Sequence, residues 1–233
     1  MASRVTGFDP TSLAALPEPV RRYLGKAILP GAPLSPAWVL QMKGRIKVGI
    51  WLPFAARQEL DGSSFVWRAR VPSGKVALLE VTDSFADGEG GMAGRIAGRQ
   101  VFADTGEDAC RSAATRAVME STMVPATLLP STGVEWTSVS ENEIRFRRPE
   151  LPLAEEVTIR ISPDGSPSEV EAPRWLKERD EPGALVPFRC RLEGFIEREG
   201  QVVPDGLTAG WVKGSFEPFF EARITAVEGL SVP

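Results

Sequence analysis

The sequence predicts a mainly β fold with a minor helical part: a strongly curved antiparallel sheet or open half-barrel of about 10–12 strands, with a central helix and a short N-terminal helix. Three observations carry that prediction. Stretches of alternating apolar and polar residues follow one another, and each closes on a glycine, proline or aspartate turn signal. Two segments instead repeat apolar residues at helical spacing. The second of these has an apolar face of small side chains, which lets a helix approach a sheet closely.

Leu16, Val20, Tyr23, Leu24 and Ile28 recur at helical spacing and predict a helix over residues 18–28, with Pro17 and Pro19 in or before its first turn. Pro30, Pro33 and Pro36 then stop it and deliver an extended chain. From there the period is two. Trp38, Leu40, Met42, Ile46 and Val48 share one face of a strand, and Gln41, Lys43, Arg45 and Lys47 share the other. Leu52, Phe54, Ala56 and Leu60 form the next row, Asp61-Gly62 turns the chain, and Phe65, Trp67, Ala69 and Val71 return it. Pro72, Ser73 and Gly74 close that strand; Val76 to Phe85 and a glycine-rich pair from Met92 to Phe102 continue a meander.

The central helix is expected from Thr105 as N-cap, with Glu107 and Asp108 in the first turn and Pro125 ending the segment. Cys110, Ala113, Ala114 and Ala117 make its small apolar face, so Cys110 is expected to be buried. A second run of strands follows around Trp136, Phe146, Ile159, Cys190 and Ile224. Pro163-Asp164-Gly165 and Pro204-Asp205-Gly206 read as turns, and the charged stretch Lys177 to Gly183 reads as a loop. One domain spans residues 1–233: lead-in 1–37, first strand run 38–104, central helix 105–124 and second strand run 134–228.

Composition narrows the function. A net charge of -4 with interspersed signs gives no footprint for nucleic acid. The chain has no histidine, which removes Ser-His-Asp and Cys-His catalysis and the usual zinc and iron ligand sets. Cys110 and Cys190 stand alone in sequence, so no metal is expected. Gly88, Gly90 and Gly91 lie between strands and read as a turn rather than a dinucleotide loop, so no cofactor is expected either. Met1 to Ala15 lacks the pattern of a secretory signal and no apolar run is long enough for a membrane span, which places the expectation in the cytoplasm.

Carboxylates remain for chemistry. Asp83 shares a strand face with Val81 and Phe85, and an acid in an apolar row is a candidate general acid or base; the plain alternative is an aspartate bonded to turn backbone. Glu120 sits near Met119, Met123 and Pro125 at the end of the central helix, and Arg116 lies one turn before it. The pair is either a solvated i, i+4 contact or, if the helix plugs the sheet, a buried polar handle for a ligand. Trp67, Phe85, Arg116, Met123, Phe188, Trp211 and Phe220 are the candidate ligand-binding residues, with Asp83 and Glu120 the candidate catalytic ones. Arg145, Arg147 and Arg148 read as a basic strip facing solvent.

The stretch Leu16 to Leu24, the Trp51 to Phe54 and Phe65 to Trp67 segments, Asp83 with Asp87-Gly88, and Arg116 to Pro130 resemble a bacterial family, the domain of unknown function 6544. The resemblance returns at Glu171 to Arg174, Val203-Pro204 and Ala209 to Trp211. It implies no activity, and its pattern of elements is similar to the half-barrel of lipoprotein carriers. Met123, Phe188, Phe219 and Phe220 stand where that family tends to place hydroxyl- or indole-bearing aromatics, which implies a drier cavity here. Three functions are expected in order: a cytoplasmic binding protein for a hydrophobic small molecule or acyl chain, a cofactor-independent cyclase or isomerase using the cavity carboxylates, and a structural or interaction protein whose concave face is filled by its own side chains.

Overall fold

The computed structural model describes residues 7–73, 77–178 and 180–230. Helix α1, Glu18–Ala27, carries Pro19 in its first turn and buries Val20, Tyr23, Leu24 and Ala27. Ile28 leaves the helix as extended backbone and bridges Gln201 instead of completing another turn.

Six strands follow as successive antiparallel neighbours: β1 (Ala37–Val48), β2 (Ile50–Leu60), β3 (Phe65–Ser73), β4 (Ala77–Ala86), β5 (Glu89–Ile96) and β6 (Arg99–Asp104). Asp61 makes the β2–β3 turn as expected, accepting from the backbone N–H groups of Ser63 and Ser64. Part of the turn expected after Pro72, residues 74–76, lies outside the described residues, as does residue 179 of the expected 177–183 loop.

Helix α2, Glu107–Glu120, comes next, capped by Gly106 rather than Thr105. Its end is tighter than expected, because three short 3-10 turns, Ser121–Met123, Pro125–Leu128 and Pro130–Thr132, carry the chain onward. The second run is β7 (Glu135–Ser140), β8 (Glu143–Arg147), β9 (Val157–Ile161), β10 (Pro167–Leu176), β11 (Ala184–Arg198), β12 (Gln201–Lys213) and β13 (Ser215–Leu230). Pro204-Asp205-Gly206 is not a turn: it lies within β12, and its irregularity is matched across the ladder by Gly194 at φ 60°. The reversal falls instead at Glu199-Gly200, both with positive φ.

Among the described residues thirteen strands form one antiparallel sheet, ordered β6-β5-β4-β3-β2-β1-β13-β12-β11-β10-β9-β8-β7. The two meanders join through β1 and β13, with Ala37 opposite Leu230, so β6 and β7 are left as edges. Helix α2 touches both β5 and β10, which are eight steps apart in that order. At about 4.8 Å per step a flat sheet would separate them by roughly 38 Å, against about 10 Å for a helix diameter. The sheet is therefore rolled, with α2 held across its concave side. Its small face makes this possible, since Ala113, Ala114 and Ala117 are all buried.

Two expectations about exposure change. Cys110 is only partly buried, with its thiol bonded to the Gly88 carbonyl at 3.0 Å, because it lies near the N-terminal end of α2 beside the β4–β5 turn. Arg148 does not face solvent: it is 5% exposed and donates to the Thr127 and Thr132 carbonyls, satisfying backbone acceptors left by the 3-10 turns. Among the described residues no helix is long and apolar enough to cross a membrane.

Candidate functional site

A cavity of about 270 Å³ lies on the concave side, between α2 and the sheet. One wall follows directly from strand register. Gln58 pairs with Trp67, Trp67 with Asp83 and Asp83 with Met92, so one lateral row of side chains crosses four strands and faces inward. Above that row α2 presents Arg116, Met119 and Glu120, spaced for one helix face.

The polar groups on this wall are tied together. Arg116 Nε donates to Glu120 Oε1 at 2.7 Å, and Nη1 bonds the Asp83 carboxylate. The Gln58 amide donates to the other Glu120 oxygen. The Arg116 guanidinium also lies 4.5 Å over the Phe65 ring and 5.5 Å from that of Trp67. Side-chain exposure of Arg116, Asp83 and Glu120 is only 14–17%, so the cluster is a partly buried ion-pair network. Burial alone would lower the Arg116 pKa, but the Glu120 and Asp83 carboxylates outweigh it and hold it above its ordinary value. Two buried atoms in the row have no hydrogen-bond partner among the described residues: Gln58 Oε1 and Trp67 Nε1.

The opposite wall is aromatic. Phe188 and Trp211, paired across β11 and β12, meet edge to face at 5.0 Å. Arg174 of β10 lies 4.8 Å over Phe188 and 5.6 Å from Trp211. Phe220 stacks on Phe54 at 5.0 Å and meets Trp67 at 6.2 Å, joining the two walls. Successive strand residues ordinarily face opposite sides, yet Phe219 and Phe220 both line the cavity. A β-bulge explains it: Ala209 pairs with Phe220 and Gly210 with Pro218, leaving Phe219 as the extra residue. Gly210 is required there, because a side chain would run into the Glu217 carbonyl.

The family of unknown function DUF6544 matches residues 6–222. The chain belongs to that family. Among solved structures, a LolA superfamily protein from Nitrosomonas europaea is similar at TM-score 0.52 and 8% identity, over 92% of this chain and 93% of that one. A putative outer membrane lipoprotein-sorting protein domain from Vibrio parahaemolyticus matches at TM-score 0.45 and 8% identity, over 92% and 91%. At such identity the first likeness bears on the fold alone, the rolled antiparallel sheet described above. No curated protein matches the chain in sequence.

In this DUF6544 chain the cavity gathers Asp83, Glu120, Trp67, Arg116, Met123, Phe188, Trp211 and Phe220, all named from the sequence. Phe85 is not among them. It is 1% exposed, two residues further along β4 than Asp83, and its ring fills the space above Gly90, which Ala113 of α2 also approaches. Asp83 is not a turn residue: it sits within β4, while Asp87 with φ 53° takes the reversal. Of the six tryptophans, Trp67 and Trp211 line the cavity, Trp38 is core and Trp136 packs on Tyr23 and Phe146.

Sequence reading missed Gln58, Arg174 and Cys190. A signal existed for the first two, since each is a polar residue on the buried parity of its strand: Gln58 with Phe54, Ala56 and Leu60, and Arg174 with Val170 and Ala172. Burial, with smaller contributions from Glu120 and Glu169, pushes the Cys190 thiol up to about 12.

Proposed function

We propose that this DUF6544 protein is a cytoplasmic binding protein that holds a hydrophobic small molecule or acyl chain between α2 and the concave face of its sheet. The observation that carries the reading is the cavity itself: about 270 Å³ walled mainly by aromatic, methionine and leucine side chains, with its polar groups confined to a few positions. Each methylene moved from water into such a site contributes about 0.8 kcal/mol, so a chain of modest length binds well without any covalent step. Methionines at positions 42, 92, 119 and 123 suit a flexible chain, because unbranched side chains repack around it. The fold likeness to a LolA superfamily protein supports apolar cargo in a rolled sheet.

A cyclase or isomerase using Asp83 and Glu120 is the lesser reading, because both carboxylates already accept from Arg116. The test is native mass spectrometry of protein taken from its own host, together with titration by the neutral apolar dye N-phenyl-1-naphthylamine. A co-purified apolar ligand, or saturable dye fluorescence, is expected. Absence of both overturns the reading, and cell fractionation checks its cytoplasmic part.

A further inference from the structure

Among the described residues four charged side chains line the cavity, and three of them, Asp83, Arg116 and Glu120, satisfy one another. Arg174 is the fourth. Its Nε donates to the Ser112 carbonyl and hydroxyl, both at 3.0 Å, which anchors the side chain to α2. That uses one of five N–H donors. Among the described residues no carboxylate lies within ion-pair distance of Arg174, and its two terminal nitrogens have no protein acceptor. The guanidinium is instead set against Phe188 and Trp211. Burial, with the nearby Arg116 charge adding to it and Asp83 and Glu120 opposing, lowers its pKa to about 10.

We propose that Arg174 is the head-group anchor of this cavity and that the ligand is an apolar chain ending in a carboxylate. This rests on the carrier reading above and names its ligand class. A planar guanidinium with both terminal nitrogens free matches a carboxylate bidentately. Arg116 cannot do the same work, since its Nε and Nη1 are already taken. A single negative charge fits better than the double charge of a phosphate monoester, because Asp83 and Glu120 border the same space. An ammonium head is disfavoured for the mirror reason: it would meet the Arg174 charge, which no carboxylate pairs among the described residues, while Asp83 and Glu120 are held by Arg116 and Gln58. The chain then lies among Met42, Met119, Met123, Leu192 and Leu207.

The experiment displaces N-phenyl-1-naphthylamine from the wild-type chain with four probes of equal length, dodecanoate, 1-dodecanol, dodecyl phosphate and dodecylammonium, below their aggregation limits. Dodecanoate is expected to bind at least tenfold tighter than dodecanol and tighter than the phosphate. In Arg174→Gln, checked for a normal unfolding curve, dodecanoate and dodecanol should come within about twofold of each other. Arg174→Lys, which keeps the charge and loses the fork, should fall between. The wild-type comparison needs no variant, so a variant that fails to fold leaves the test intact. Equal binding of dodecanoate and dodecanol, or a preference for dodecylammonium or dodecyl phosphate, overturns the assignment while the carrier reading stands. Dye binding with displacement by none of the four also overturns it, and failure of the dye itself to bind counts against the carrier reading.

Discussion

The Arg116 guanidinium on α2 is bonded to the Asp83 carboxylate on β4, across 33 residues of sequence, and so fastens the helix to the sheet it crosses. Glu120 completes the arrangement one helical turn further on. Removing the cation leaves two partly buried carboxylates without a compensating charge, Glu120 keeping only its bond from Gln58, a change that costs about 3–5 kcal/mol in buried pairs. Because each group keeps 14–17% exposure, the low end applies: Arg116→Met is expected to lose about 3 kcal/mol in urea denaturation. A double-mutant cycle with Asp83→Asn should return a coupling well above the ~0.5 kcal/mol of a surface pair. A coupling at that surface value would mean the ion pair does not fasten the helix, leaving its alanine face and bonds such as Arg174 to Ser112 to hold it.

The two cysteines should react very differently. At pH 8 a thiol with a pKa of about 12 is thiolate in roughly one molecule in ten thousand, and Cys190 faces the cavity rather than bulk solvent. Cys110 borders a surface groove beside Gly88 and Gly106. Native protein treated with a maleimide should therefore take one label quickly, at Cys110, and a second only on unfolding. Two labels at similar rates would contradict the placement of Cys190.

Strand parity made much of this site legible. Trp67 and Asp83 fall in register because their strands are successive neighbours joined by short turns, and the pattern of alternation fixes which side chains face inward. What lay beyond parity was long-range pairing: nothing local tells β1 to meet β13, and that junction rolls the two runs into one half-barrel. Phe219 was reached through the family resemblance and not through parity, since a bulge breaks the period of two on which parity depends. Gln58 and Arg174 were visible as polar residues in apolar rows; reading those rows as core hid them.

Asp61 gives the fold a pH dependence of defined sign. Burial would raise its pKa, but bonds from the backbone and hydroxyls of Ser63 and Ser64 outweigh it and hold the carboxyl below its ordinary value. A depressed folded pKa contributes stability that is present above the unfolded value, about 3.9, and is lost as pH falls through the folded one. Asp61→Asn should cost about 1 kcal/mol at pH 7, allowing for partial solvent screening, with the deficit shrinking below about pH 4. Urea titrations at both pH values check it. A deficit that stays constant with pH would assign the effect to turn geometry instead of the charge.

Two substitutions separate cavity from core. Ala209 lines the cavity, opposite Cys190 on one side and Phe220 on the other, so Ala209→Phe places a ring in the space assigned to ligand. Its stability should stay level or rise by up to about 1 kcal/mol, as filling an apolar cavity does, while affinity for N-phenyl-1-naphthylamine falls at least tenfold. Phe85→Leu should do the reverse. That ring is buried outside the cavity, so trimming it should cost roughly 1–2 kcal/mol and leave dye binding intact. Dye fluorescence and urea midpoints read both. If Ala209→Phe binds dye normally, the apolar site lies elsewhere; if Phe85→Leu loses dye binding without losing stability, the cavity extends under α2 as far as β4's outer turn.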